Sequence, residues 1–323
     1  MKVINHTNIY NDSSDTGSID DYPFVSIIVP AYNAEEIIGT LVESLINQDY
    51  PKELLEIIIV DNNSTDNTFQ TAKEYEHEYP DLIRILEERD IQSSYAARNT
   101  GIKVARGSII AFIDADCTAT PQWIKEGIRT MNSESADLVG GNVEFTYSEK
   151  KSAAEVHDSM TNMQIEYNIN EEGVAKTANL FVKPSLFNSV GMFPDWVKSG
   201  GDVMWTGAAT EKGFNLVYSP KAIVKHPART LKELLKKRYR VGKGIVHIWI
   251  SEGKTWREIM LLPKQLFFSK SESNQVVKPK RSNKEKGIQN TPGILCVKCL
   301  CLLSTGVGIL REIFSSFKND GRK

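Results

Sequence analysis

The 323 residues, 41% apolar and 25% charged, lie in the globular range and exclude a disordered or fibrous chain. A net charge of -2 gives no global attraction to nucleic acid or to an anionic membrane, so any such attraction has to come from local clusters. The cysteines, Cys117, Cys296, Cys299 and Cys301, lack the spread of a disulfide framework, and the first 21 residues hold no apolar run; together these point to a reducing compartment, the cytoplasm.

Residues 1–22 are polar and read as a disordered tail. Phe24 to Val29 is then a β-branched run stopped by Pro30, followed by helical spacing over Glu35–Asn47 and a strand at Glu56–Val60. The alternation goes on with a helix over Asn67–Glu78, a strand at Leu82–Leu86, a helix near Ser93–Ala105 and a strand at Ser108–Ile113. That order predicts an α/β fold, a largely parallel sheet with helices on both faces, whose polar ligands bind at the carboxyl ends of the strands. The pattern is more mixed beyond residue 136: a strand at Leu138–Phe145, a helix near Ala153–Tyr167, a strand at Ala175–Val182 and a strand-like segment from Leu216. Residues 23–135 thus read as the nucleotide-binding half of one domain and 136–268 as its acceptor half. A basic linker follows at 269–290, and then 291–323 with the apolar run Gly293–Leu310, broken only by Lys298. At eighteen residues with Gly306 and Gly308 inside, this run fits a helix lying in a membrane surface better than a spanning one. A helix docked on the domain is the alternative. The Cys296–Cys301 cluster lies within this apolar run and reads as small buried thiols rather than a metal site.

Two strand ends carry the chemistry. Asp114-Ala115-Asp116 follows the apolar strand Ile109–Ile113, and alternation would aim both carboxylates to one side. Hard oxygen ligands of this kind suit Mn2+ or Mg2+ shared with phosphate oxygens, although a turn-capping role uses the same residues. Asp61 to Asp66 is either a capped turn or a place where Asp61 accepts hydrogen bonds from a nucleobase edge, and the two are compatible.

Four segments, Val25 to Glu35, Ile59 to Asp66, Ala97 to Gly101 and Phe112 to Asp116, resemble in order and spacing the inverting family 2 glycosyltransferases, including bacterial exopolysaccharide members. The resemblance covers about Phe24 to Cys117 and implies a GT-A fold with a C-terminal helical extension. It implies that Pro30, Ala31, Tyr32, Asn33, Glu35 and Asp61 line the nucleotide pocket, that Arg98 and Asp114 lie by the donor, and that Asp116 meets the metal. Cys117 stands where the family often has another acid.

Ser199 to Trp205 resembles the family's acidic acceptor motif with Gly201 in place of a glutamate, which makes Asp202 the catalytic base, or else a helix cap. His226 stands where members often place a metal-binding histidine, though an isolated histidine is also often structural. Lys236 to Gly244 resembles a basic, glycine-containing segment through which Arg238 and Arg240 reach the diphosphate or a phosphorylated lipid acceptor; a solvated helix end is the alternative.

The expected activity is transfer of a sugar, from a UDP-sugar before other nucleoside-diphosphate sugars, to a polysaccharide or lipid-linked glycan at the inner membrane face. An inactive nucleotide- or glycan-binding protein of the same fold is the alternative. A dinucleotide oxidoreductase would need a glycine-rich turn where Pro30-Ala31-Tyr32-Asn33 stands, and the basic clusters lack the interleaved aromatics of a nucleic-acid groove.

Overall fold

Val25–Ala31 (β1) and Leu55–Asp61 (β2) are buried at every residue, which suits strands covered on both faces. In the computed structural model, residues 22–251, 253–254, 258 and 291–320 are described, with side chains through Ser315; all of the tail except Tyr22, and the whole basic linker, lie outside them. Ile83–Glu87 (β3) runs parallel to β2, and Ile109–Ile113 (β4) runs parallel to β1. Between them lie Ile38–Ile46 (α1), Thr68–Glu78 (α2) and Ser94–Ile102 (α3), the last packed on β1 and β2. Because these four strands are parallel, the loops after β1, β2 and β4 all emerge at one end of the sheet.

The second half holds Thr118–Ala119 (β5), Trp123–Ser133 (α4), Leu138–Thr146 (β6), Asn179–Val182 (β7) and Leu216–Pro227 (β8). The eight strands form one sheet in the order β3-β2-β1-β4-β7-β6-β8-β5, with β7 and β5 antiparallel to their neighbours and the others all aligned. The pairing of β6 with β8 shifts register between Gly141 and Asn142. There the buried Asn179 amide donates to Asn142 O and Ala222 O at 2.8 Å, while its own oxygen takes the Trp123 indole proton at 2.8 Å. A bulge satisfied in this way lets the sheet bend.

The helix read near Ala153–Tyr167 is two helices, Ala153–Thr161 (α5) and Ile165–Glu172 (α6), because Met163 between them takes a left-handed φ of 50°. A capping box between Ser152 and Glu155 starts α5. Ser185–Val190 (α7) and Gly201–Glu211 (α8) complete the second half.

Leu231–Ser251 (α9) is one 21-residue helix, and Pro292–Asp320 (α10) lies along it. Gly308 of the apolar run is a contact point rather than a weak point. A β-carbon on Gly242 would come within 2.1 Å of Thr305 O, and one on Gly308 within 2.2 Å of Tyr239 O. Such close backbones need glycine at the crossing. Ile294, Val297, Cys301, Ile309 and Ile313 are buried, whereas Leu295, Leu302, Leu303, Val307, Leu310 and Phe314 are exposed along another face. The helix read as either docked or interfacial is therefore docked on one side and apolar on the other. Cys301 is buried, but Cys296 and Cys299 are exposed, which corrects the reading of that cluster as buried thiols; 3.6-residue periodicity turns the two outward.

Candidate active site

The loops after β1 and β2 clasp each other. Asn33, at a left-handed φ of 48°, accepts from Thr65 N at 2.8 Å through its side-chain oxygen and donates its own backbone N–H to Ser64 Oγ at 3.0 Å. The Glu35 carboxylate accepts from Asn67 N at 3.1 Å and from its amide at 2.7 Å. The side chains of Asn33 and Glu35 thus shape the neighbouring loop rather than standing free for a ligand. Beside this clasp a cleft of about 270 Å³ is lined by Pro30, Ala31, Tyr32, Asn62, Lys198 and Arg240, among others. A larger hollow of about 670 Å³, at the opposite strand ends near Glu56 and Arg106, holds none of the expected residues.

Asp61 is buried at the end of β2, in register with Ala31. Its Oδ2 accepts from Ser64 N at 3.2 Å and meets Arg89 Nη1 at 3.3 Å, while Oδ1 has no partner. A buried carboxylate oxygen without a donor is costly, and a ligand N–H would relieve it.

Asp114 to Asp116 is a turn beyond β4, closed by Cys117 N on Asp114 O at 3.0 Å, so strand alternation does not govern it. The expectation that both carboxylates face one side is corrected accordingly. Asp114 Oδ1 pairs with the buried Arg98 at 2.5 Å. Asp116 Oδ2 faces His226 Nε2 at 3.4 Å and Arg229 Nη2 at 3.4 Å. The antiparallel pairing of Thr118 with Lys225 carries His226, within the last residues of β8 rather than after it, to this turn.

His226 is fully buried, with Nδ1 2.6 Å from Pro227 O and Nε2 2.9 Å from Arg229 Nη2. A carbonyl can only accept and a guanidinium can only donate, so Nδ1 carries the proton and the Nε2 lone pair accepts from Arg229, which a metal bound there would displace. That is the tautomer of a metal ligand held by a carbonyl behind it. Among the described residues no group of three or more His, Cys, Asp and Glu is placed to hold a metal. Asp116 and His226 offer two donors, the partial set that magnesium-type ions complete with water and substrate phosphate.

Asp202 is the second residue of α8, after the left-handed cap Gly200 (φ 88°), and does not itself cap the helix. Its Oδ1 takes the Tyr95 phenolic proton at 3.1 Å, and Oδ2 lies 3.4 Å from Thr177 N. Burial first, and then the charge of Asp202, push the Tyr95 pKa up, which keeps it a donor. Arg98 lies under the Tyr95 ring, 5.6 Å from its centroid. One turn of chain therefore leads from its first carboxylate through Arg98 and Tyr95 to Asp202, and from its second to His226 and Arg229.

Arg238 and Arg240 separate on α9. Arg240 lines the cleft beside Tyr32, whereas Arg238 Nη2 donates to Thr161 Oγ1 on α5 at 3.3 Å. Sequence reasoning missed Tyr95, Arg89, Lys198 and Arg229. Tyr95 alone left a trace, three residues before Arg98 on one helix face.

The profile of glycosyl transferase family 2 matches residues 26–187. Over 240 residues the chain is 46% identical to the glycosyltransferase AglE of Haloferax volcanii, covering 74% of this chain and 79% of that one. The fold is similar to that of a mannosyltransferase, PcManGT, from Pyrobaculum calidifontis in complex with GDP-Man and Mn2+, with a TM-score of 0.60 at 18% identity over 90% of this chain and 88% of that one. It is also similar to residues 1–349 of TarS from Staphylococcus aureus in complex with UDP-GlcNAc, with a TM-score of 0.52 at 20% identity over 92% of each chain. By sequence, TarS, a poly(ribitol-phosphate) beta-N-acetylglucosaminyltransferase, is 29% identical over 188 residues, 56% of this chain and 31% of its own length.

Proposed function

The chain belongs to glycosyl transferase family 2, and on that footing we propose that it moves a sugar from a nucleoside-diphosphate sugar to a polysaccharide or lipid-linked glycan, inverting the anomeric carbon. The observation that carries this reading is the turn Asp114–Asp116, tied through Arg98 and Tyr95 to Asp202 and directly to His226. Asp202 removes the proton of the acceptor hydroxyl while that oxygen attacks opposite the departing diphosphate. Tyr95 holds the carboxylate in place and keeps its own proton.

The nucleoside enters the cleft by Pro30, Ala31, Tyr32 and Arg240, with the partnerless oxygen of Asp61 as acceptor for the base; Asn33 and Glu35 act as positioning residues. Asp116 and His226 would hold Mn2+ or Mg2+, which neutralises charge on the leaving diphosphate. Arg98 fixes Asp114, and Arg229 brings a second positive charge to the same place. A UDP-sugar is the favoured donor, since TarS, similar in sequence and fold, was solved with UDP-GlcNAc.

The exposed apolar face of α10 rests on the inner membrane surface in this reading. Pro292–Ser315 is long and apolar enough to cross a bilayer, but its other face is occupied by α9.

A thermal-shift panel of UDP-, GDP- and TDP-sugars with and without Mn2+ tests the proposal. One nucleotide class should stabilise the protein, and Asp61→Ala and Asp116→Ala should each weaken that effect. Stabilisation without turnover on any acceptor would instead fit an inactive nucleotide-binding protein.

A further inference from the structure

A cationic cluster adjoins Asp202, and none of its members lines the nucleotide cleft. The electrostatic neighbours of the Lys237 ammonium are Arg229, Asp158, Lys176 and Arg238, and those of Lys176 are Asp202, Arg238, Glu172 and Asp158. Asp158 on α5 is fully buried, and Arg229 occupies its Oδ2 through N at 3.1 Å and Nη1 at 3.5 Å. Four cations, Arg229, Lys176, Lys237 and Arg238, thus share the engaged Asp158, with Asp202 and Glu172 beside Lys176 alone.

Among the described residues neither the Lys176 nor the Lys237 ammonium forms a hydrogen bond or a contact ion pair. Burial pushes both ammonium pKa values down, that of Lys237 far down. Two buried donors nearby also lack acceptors, Asn162 Nδ2 and Arg238 Nε, whereas Asp158 Oδ1 lacks a donor. Asn162, 7% exposed, follows Thr161, which accepts from Arg238 Nη2 at 3.3 Å. Half-buried cations without a contact ion pair and buried donors without acceptors share one remedy, an anion with several oxygens. Phosphate has that chemistry.

We propose that Lys176, Lys237, Arg238 and the Asn162 amide form a second anion site, which binds a phosphate group of the acceptor. The proposal rests on the transferase reading and narrows it: the acceptor is a phosphate-bearing glycan rather than a neutral sugar. Arg229 links the cluster to Asp116 on the donor side, whereas Lys176 lies toward the acceptor. Lys176 immediately precedes Thr177, whose N–H faces Asp202, the group that receives the acceptor proton. Arg238 and Asp158 also adjoin Cys301 on the buried side of α10, so a phosphate here lies under the helix with the exposed apolar stripe. A lipid-linked phosphate and a polymer phosphodiester share this chemistry.

The test uses the full chain with UDP and Mg2+ saturating, so that the donor site is filled, and titrates inorganic phosphate calorimetrically. The wild type should bind phosphate beside bound UDP, and K176Q/K237Q should lose at least about tenfold in phosphate affinity while UDP affinity stays within about twofold. Decyl phosphate and ribitol phosphate then separate the sources: tighter binding of the first indicates a lipid carrier, of the second a polymer. Phosphate binding that is absent with UDP bound, or unchanged in the double variant, overturns the proposal. So does an equal loss of UDP affinity, which would assign the cluster to the donor diphosphate. Failure of UDP to bind wild type would instead overturn the transferase reading, and the phosphate titration without UDP would still report the anion site.

Discussion

Tyr95 reaches across 107 positions of sequence to donate its phenolic proton to Asp202 Oδ1 at 3.1 Å. Gly201 makes room for it, since a β-carbon there would lie 2.9 Å from Tyr95 Cε2. The glycine that replaces the glutamate of the resembled motif therefore belongs with this tyrosine, and a phenol does the orienting.

Asp202→Asn should lower kcat by about 10²–10⁴-fold with little change in nucleotide affinity, as expected for loss of a general base. Tyr95→Phe keeps the base but leaves its Oδ1 held by Val203 N alone, at 3.0 Å, so a fall in kcat of about tenfold with unchanged donor KM is expected. Gly201→Ala should match Tyr95→Phe by displacing the ring. Steady-state kinetics of the three variants would check this, and a wild-type rate in Asp202→Asn would remove it from the base role.

The pairing of Asp116 with His226 predicts a metal requirement that both residues share. Metal Lewis acidity supplies several kcal/mol of transition-state stabilisation, so Asp116→Ala should lose about 10²–10³-fold in rate. His226→Gln should raise the Mn2+ concentration needed for half-maximal rate. Rate against free Mn2+ after chelation measures both, and full activity in the chelated wild type would exclude the metal.

The first half of the fold was legible because β1, β2 and β4 are short, mostly apolar runs rich in Ile and Val and their polar ends follow directly. Asp61, Asp116 and Asp202 could be picked out for the same reason, each at an element boundary. What escaped depended on contacts distant in sequence. The break between α5 and α6 holds neither glycine nor proline, only Met163 in a left-handed conformation. Asp114 and Asp116 diverge because the strand has already ended in a turn. Gly306 and Gly308 looked like defects in a membrane helix, since nothing local reveals that Gly242 and Tyr239 lie against Gly308. Arg229 falls in no motif, yet it joins Asp116, His226 and Asp158.

The capping box of α5 gives the protein an acid-sensitive element. Hydrogen bonds from the Ser148 backbone, the Ser152 side chain and the Ser152 backbone hold the Glu155 pKa down, from 4.5 to about 2. A depressed carboxylate contributes stability that is complete above its unfolded value and lost as pH falls through the folded one. Glu155→Gln should therefore melt below wild type at pH 7, and the gap should narrow from about pH 4.5 downward. Melting curves from pH 7 to 3 would show it; a gap independent of pH would assign the effect to packing.

The crossing of α9 and α10 decides whether the apolar stripe is presented in a fixed orientation. Gly308 lies against Tyr239 O and Gly242 Cα, and Lys243 and His247 both reach Glu312 at 3.0 Å nearby. A leucine at 308 cannot fit without separating the helices, and such overpacking costs about 1–3 kcal/mol. Gly308→Leu should thus detach α10 while leaving the strand ends that bear Asp61 and Asp116 intact. Protease cleavage within 292–315 should speed up, whereas stabilisation by nucleotide persists. Glu312→Ala removes the paired charges without adding bulk and should give the same change more weakly. Unaltered cleavage in Gly308→Leu would mean that α10 is held by contacts other than this crossing.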